Sequence, residues 1–325
     1  MPASNQFQIG IALQTAKDVT VANPQYMLDV TGSDLGPQPE TERRSETGLG
    51  VDVGAQFVRV LGAGGSANVL LRPSTAPLLF YGLLGTKAVT GADPYTHTLT
   101  AASTKPFFTV WRSLGGQLWE VFRNCHLTGG NLSWGAGGDL SLDLSVTGLS
   151  FTRLTSAPTG GTYSATEAPF RVPGVVYTVD GGPRANISEG NVNIDWPSTP
   201  IQTTAITNSY LEPGSREITA SWTEVWENVQ NYAKIYYGST TGTVAAETRY
   251  EATGGFSFAF PHATAGYSFT VSAQRFAFQE ATATPDPGGD PLMMPIAGSV
   301  ERPASGSILT ASIINGVATY PAVSS

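Results

Sequence analysis

Between Asp139 and Thr147 polar and apolar residues alternate without interruption. Leu140, Leu142, Leu144 and Val146 face one way, and Asp139, Ser141, Asp143, Ser145 and Thr147 face the other. A strand with one dry and one wet face follows. Carried on to Arg153 it would reach about 50 Å at roughly 3.3 Å per residue, long for an isolated domain. Tyr95–Thr100, Phe107–Trp111 and Gln117–Leu127 read as further strands, the last with Trp119, Val121, Cys125 and Leu127 on a single face. Upstream, Val51, Val53, Ala55 and Phe57 alternate with Asp52, Gly54 and Gln56, and Gly62–Gly65 predict a hairpin turn into Ala67–Leu71. Ser74 or Thr75 then caps a short buried helix that Pro77 starts and Gly85 stops.

The second half repeats that order. Arg216, Ile218 and Ala220 read as a strand, Ser221 with Glu224 as a capping box, and Trp222–Tyr237 as an amphipathic helix stopped by Gly238. Strands follow at Thr248–Ala252, within Tyr267–Phe278 and at Ser307–Ile314, around a Pro/Gly-rich loop at 285–291. Phe107–Val110 and Ser268–Val271 occupy matching places in the two series, which points to duplication. The fold class expected is all-β dominated: sandwich or barrel modules with one flanking helix each. The divisions are a first module at 1–155, a Ser/Thr/Gly/Pro-rich linker at 156–168 and a second module at 169–325. Residues 14–47 are polar and read as an extended arm or long loop ending in the cluster Glu40, Glu42, Arg43, Arg44 and Glu46.

Composition sharpens the class. Charged residues are only 13%, with 37 Gly and 22 Pro, as in turn-rich β proteins and unlike helical ones. The net charge of −8 argues against ordinary nucleic-acid binding, which neutralises phosphates with Lys and Arg. It falls mostly on the second half, at −7 against −1 for residues 1–155. Cys125 is the lone cysteine, so neither an intrachain disulfide nor a cysteine zinc site is available. Met1–Leu13 has no basic, apolar signal pattern, and no segment has the roughly 20 apolar residues of a membrane span, so a non-membrane, unexported chain is expected.

Catalytic patterns are missing. His97, His126 and His262 are far apart in sequence and stand in no metal-ligand spacing. The Gly62-x-Gly64 pair opens no helix that could hold a phosphate. Asp139 and Asp143 are about 13 Å apart on one strand, beyond the usual hydrolase pair. Asn131-Leu132-Ser133 and Asn186-Ile187-Ser188 are formal sequons without a secretory context. No enzyme, cofactor or metal is expected.

The order Tyr81-Gly82-Leu83-Leu84-Gly85, Asp93–Thr100, Phe107–Trp111, Glu120–Leu127 and the Asp139–Gly148 strand resembles the tail tube proteins of long-tailed, siphovirus-like bacteriophages, over about residues 8–155. The resemblance implies that long strands join those of neighbours in a closed inner β-barrel, and that rings stack into a channel for DNA ejection. It implies a virion protein assembled in the host cytoplasm, with itself, the tape measure, terminator and distal tail proteins as partners and DNA passing only transiently. On that reading Asp139, Ser141, Asp143, Ser145 and Thr147 face the lumen, and Glu40, Glu42, Arg43, Arg44 and Glu46 reach between rings. Three chains of two modules give a pseudo-hexameric ring; six chains are needed if the second half decorates the outside. The competing classes are a carbohydrate-binding or adhesin-like sandwich, with Trp111, Trp119, Trp134 or Trp196 as a stacking platform, and a virion decoration protein.

Overall fold

The computed structural model describes residues 7–43, 56–163, 167–205, 208–227, 229–247, 250–252, 254–281, 283 and 291–321. Its first half holds β1 (Gln8–Leu13), β2 (Tyr26–Leu28), β3 (Val30–Ser33), β4 (Gly36–Arg43), β5 (Gln56–Leu70), α1 (Ala76–Leu84), β6 (Gly85–Thr90), β7 (Tyr95–Ala101), β8 (Phe108–Leu114), β9 (Leu118–Gly135), β10 (Ser141–Gly148), β11 (Ser150–Leu154) and β12 (Thr162–Tyr163). The second half holds β13 (Val176–Val179), β14 (Gly182–Arg184), β15 (Ile187–Asp195), β16 (Ser198–Gln202), β17 (Asn208–Pro213), β18 (Glu217–Val225), α2 (Gln230–Tyr237), β19 (Glu251–Ala252), β20 (Phe256–Pro261), β21 (Ser268–Ala273), β22 (Phe276–Ala281), β23 (Met293–Val300) and β24 (Thr310–Asn315). The described residues are thus dominated by β-structure, with one helix in each half.

Two sheets face each other. In the larger, β4, β5, β10, β9, β15, β18, β23 and β22 lie side by side in that order. The smaller runs β14-β13-β20-β21-β24-β7-β6. Alternation buries one face of β10, β18 and β23. Trp134 on β9 packs against Phe258 and Phe260 on β20, with ring centroids 5.3 and 5.4 Å apart, and Trp222 on β18 packs against Phe258 at 5.7 Å. One continuous apolar core gathers residues of both halves, and β24 pairs with β7 across them. Sheets and core therefore run across the 156–168 boundary, where Thr162–Tyr163 pairs in parallel with β2.

Helix α1 forms where Thr75, Pro77 and Gly85 placed it. Gly85 has φ +98°, the left-handed stop open to glycine, although the Thr75 side chain makes no cap bond. Eight of its residues are buried. Gly82 and Leu83 press on β9, since a Cβ on Gly82 would lie 2.5 Å from Leu127 Cδ1, and one on Gly130 would lie 2.5 Å from Leu83 Cδ1.

Several expectations are corrected by long-range pairing. Gly62–Gly65 makes no turn: β5 runs straight through, and Gly65 instead lets the 34–35 bend cross closely, a Cβ there falling 2.6 Å from Leu35 Cα. Val51, Val53 and Ala55 lie outside the described residues. Of the polar segment 14–47, the described residues 14–43 are no loop, because they carry β2, β3 and β4, with Val21, Met27, Leu28 and Leu35 buried. Trp222 belongs to β18, where Ile218, Ala220, Trp222 and Glu224 are buried at period two, and α2 starts only at Gln230. Cys125 and Leu127 do not share a face with Trp119 and Val121, since Asn124 at φ +52° interrupts the alternation. The Asp139–Arg153 strand is broken: Asp139 makes only an isolated bridge to Arg171, and β10 ends at Gly148 before β11. The matched segments Phe107–Val110 and Ser268–Val271 fall in different sheets.

The large sheet nevertheless repeats, in other strands. β3 and β4 pair with β5, β5 with β10 and β10 with β9; β15 pairs with β18, β18 with β23 and β23 with β22. Each set is built in the same chain order, with the helix after its second strand. Leu70 opposite Ser141 corresponds to Val225 opposite Met293. Bulges coincide as well. The register slips between Val30 and Gly32 and between Ile187 and Glu189, and again at Ser145/Val146 and at the equivalent Ala297/Gly298. The smaller sheet does not follow this order.

Candidate functional site

The solvent face of the large sheet is where the polar half of each alternation accumulates. Asn68, Asp143, Asn131, Asn193, Thr219 and Ser299 form one cross-strand row from β5 to β23. Ser141, Ser133, Asn191, Ser221 and Ala297 form the next, and Ser145, Gly129, Asp195 and Glu217 lie on the other side. Neighbours bond along these rows: Ser133 Oγ lies 2.8 Å from Ser141 Oγ, and Asn191 Nδ2 donates to Ser221 Oγ at 2.9 Å. A groove of about 430 Å³ lies here, lined in part by Asn131, Ser133, Glu189, Asn191, Ser221 and Glu280.

On this face's central strands β10, β15 and β18 the charge has one sign. Its paired positions on β10, β15 and β18 carry Asp143, Asp195, Glu189 and Glu217, and none is Lys or Arg. Such a surface holds water by hydroxyls and amides and repels phosphate. Of the residues expected here, Ser141, Asp143, Ser145 and Thr147 do share the face, opposite buried Leu142, Leu144 and Val146. Asp139 stands beyond the strand end, with its carboxylate 3.2 Å from Arg171 Nε. Asn131, Ser133, Asn191, Asn193, Thr219 and Ser221 were missed. Their signal was present, since Asn131-Leu132-Ser133-Trp134 and Asn191–Asp195 alternate as Asp139–Thr147 does.

Glu40, Glu42 and Arg43 are exposed on β4, with Arg59 Nε 3.9 Å from Glu42; Arg44 and Glu46 lie outside the described residues. The stacking-platform reading finds no support, because Trp111, Trp134 and Trp196 are buried and Trp119 packs in a small second core. Trp196 instead holds the junction of the two repeats. Arg216 stacks on its ring at 3.6 Å and donates to the carbonyls of Leu84 and Ala102. Lys105 donates to the Trp196 carbonyl and to Ser198 Oγ, which lies 3.0 Å from His126 Nδ1. Burial, then the Arg216 charge, brings Lys105 down to about 7, and burial, then Lys105, brings His126 down to about 3.

A family model for phage tail tube proteins matches residues 4–313. The chain belongs to the phage tail tube protein family. It is accordingly a structural protein of the phage tail, a virion component that assembles with itself and with other tail proteins. Comparison with curated proteins returns no match. Among the described residues no cluster of His, Cys, Asp and Glu could hold a metal, and no helix is long and apolar enough to cross a membrane.

Proposed function

We propose that this protein is the tube subunit itself, that each chain supplies two modules to one inner barrel, and that the polar face of β10, β15 and β18, which carries no Lys or Arg, lines the channel through which DNA leaves. The observation that carries this reading is the repeat of four strands, twice over, in a single sheet with one continuous wet face. A decoration would not share that sheet. Among the described residues of one chain the sheet is open, so in this reading closure falls to neighbours.

The stagger of the repeats supports closure. Ser141 lies in the row of Ala297, while its equivalent by pairing is Met293, so four strand steps shift the register by 297 − 293 = 4 residues. Four residues at about 3.3 Å over four strands at about 4.8 Å is a tilt of roughly 35°, within the range of closed barrels. Three chains of eight strands then enclose a backbone diameter of about 45 Å, whereas six such chains would enclose about 90 Å. The trimer is the ring that fits a DNA duplex with its hydration layer.

Rings stack in this account through exposed strand ends, among them β4 with Glu40, Glu42 and Arg43, and the tube joins tape measure, terminator and distal tail proteins after assembly in the host cytoplasm. The channel wall works by not binding: acids and amides keep the duplex hydrated and sliding. Replacing Asp143 and Asp195 by Lys tests this. Particles carrying both changes should assemble but eject DNA several-fold more slowly at low salt, with recovery at high salt. Ejection at the normal rate in low salt would overturn the lumen assignment.

A further inference from the structure

The two repeats join along β9 and β15, and the seam between them has few side chains to set its angle. Seven residue pairs cross it, from Glu189 opposite Gly135 to Asp195 opposite Gly129, and four of the seven contain a glycine. Glycine in a strand gives its neighbours nothing to pack on, so such a seam is soft to twisting and bending. Beyond Gly129 the strands part. The Trp196 N–H still reaches Thr128 O at 2.9 Å, while β9 goes on to pair with β8. The cluster around Trp196 stands at this fork.

We propose that Arg216 and Lys105 are positioning residues, which clamp the seam on the Trp196 ring and so fix the angle at which one chain presents its two modules to the ring of subunits. The inference rests on the two-module tube reading above and adds which side chains set that geometry.

The ties run both ways across the seam. Arg216, just before β18 of the second repeat, donates to the carbonyls of Leu84 and Ala102 in the first half, at 3.1 and 2.8 Å. Lys105, from the first half, donates to the Trp196 carbonyl and, at 3.2 Å, to Ser198 Oγ in the second. The indole is their common support: Arg216 lies 3.6 Å and Lys105 Nζ 4.6 Å from its centre, and Trp196 Nε1 donates to Gly214 O at 3.1 Å. Gly85 lets the ring come close, since a Cβ there would lie 3.3 Å from Trp196 Cη2. Among the described residues neither cation has a carboxylate within ion-pair distance. Two buried cations without a counter-ion are a costly way to fill space. What the flat guanidinium adds is direction, through one ring contact and two carbonyl bonds. The clamp also occurs once per chain. Pro39 and Leu61, paired on β4 and β5, hold the positions equivalent to Trp196 and Arg216, with neither an indole nor a charge. The first repeat therefore folds without this cluster, which serves the seam and not the module.

The test separates assembly from stability. Arg216→Leu installs the residue that the first repeat carries. It should fold, yet raise the concentration at which the full-length chain forms rings by roughly tenfold or more, because a loosened link lowers the effective concentration of the second module. Arg216→Lys keeps the charge but loses the flat stack, and should recover part of that loss. Val271→Ala, in the core under β21, is the reference. Compared at a temperature where both variants are equally folded, it should form rings at the same concentration as the unchanged chain. Ring formation by Arg216→Leu at that concentration would overturn the clamp and leave the tube reading intact. An equal loss in Val271→Ala would do the same. Should Arg216→Leu fail to fold, normal ring formation by Arg216→Lys would overturn the clamp instead. Native tails that hold this chain outside the tube wall would remove the tube reading and the clamp with it.

Discussion

Helices α1 and α2 occupy the same place in the two repeats and are used differently. α1 lies inside the core, with Leu83 fully buried against Gly130 of β9. α2 buries only Ala233 and meets the equivalent strand through the Tyr236 hydroxyl at Ala281, the residue equivalent to Gly130. The strands and bulges around them keep one register, so the frame does not depend on how the helix is seated. The first repeat seats its helix inside the core; the second leaves its helix largely outside it.

The sharpest way to break this comparison is to truncate both helices. Leu83→Ala removes a fully buried side chain and should cost about 2–5 kcal/mol in denaturant unfolding. Ile235→Ala on α2, half-buried, should cost about 1 kcal/mol or less. Equal losses would mean that α2 is core as well. A smaller effect is expected from Gly130→Ala, at about 1–3 kcal/mol, because the new methyl meets Leu83, whereas Ala281 already carries that methyl in the second repeat. Shortening Leu83 to Val in the same chain should recover part of the loss, and a purely additive double variant would place the strain elsewhere.

The smallest effect concerns the joint between the repeats. Lys105 has an ordinary value of 10.5 and is lowered to about 7 in the fold, chiefly by burial and then by Arg216. Between those values the unfolded chain holds the proton and the folded chain does not, so stability should rise as pH goes from about 7 towards 10 and be flat below. Lys105→Met should flatten that rise when thermal unfolding is followed across pH. An unchanged slope would assign it to another group.

What was legible in the sequence was local. Leu140–Val146 announced a two-faced strand, and Thr75, Pro77 and Gly85 announced α1 with its limits, because periodicity and capping need no partner. The wet face was only partly legible: Asp143 and Ser145 stood in the clearest alternation, while Asn131 and Asn193, on β9 and β15, alternate too but join one row only when those strands pair. Gly62–Gly65 misled for the same reason, since a close crossing by Leu35 asks for glycine as a turn does. Trp222 misled because aromatic and β-branched residues before a real helix fit both periods until the opposing sheet buries every second one.

The central claim is that each chain counts twice in the barrel, and the mass of one ring released from a tube tests it most directly. Three chains of 34.1 kDa give a ring of about 102 kDa, which is the value this account predicts. A ring of six full-length chains, about 205 kDa, would contradict it.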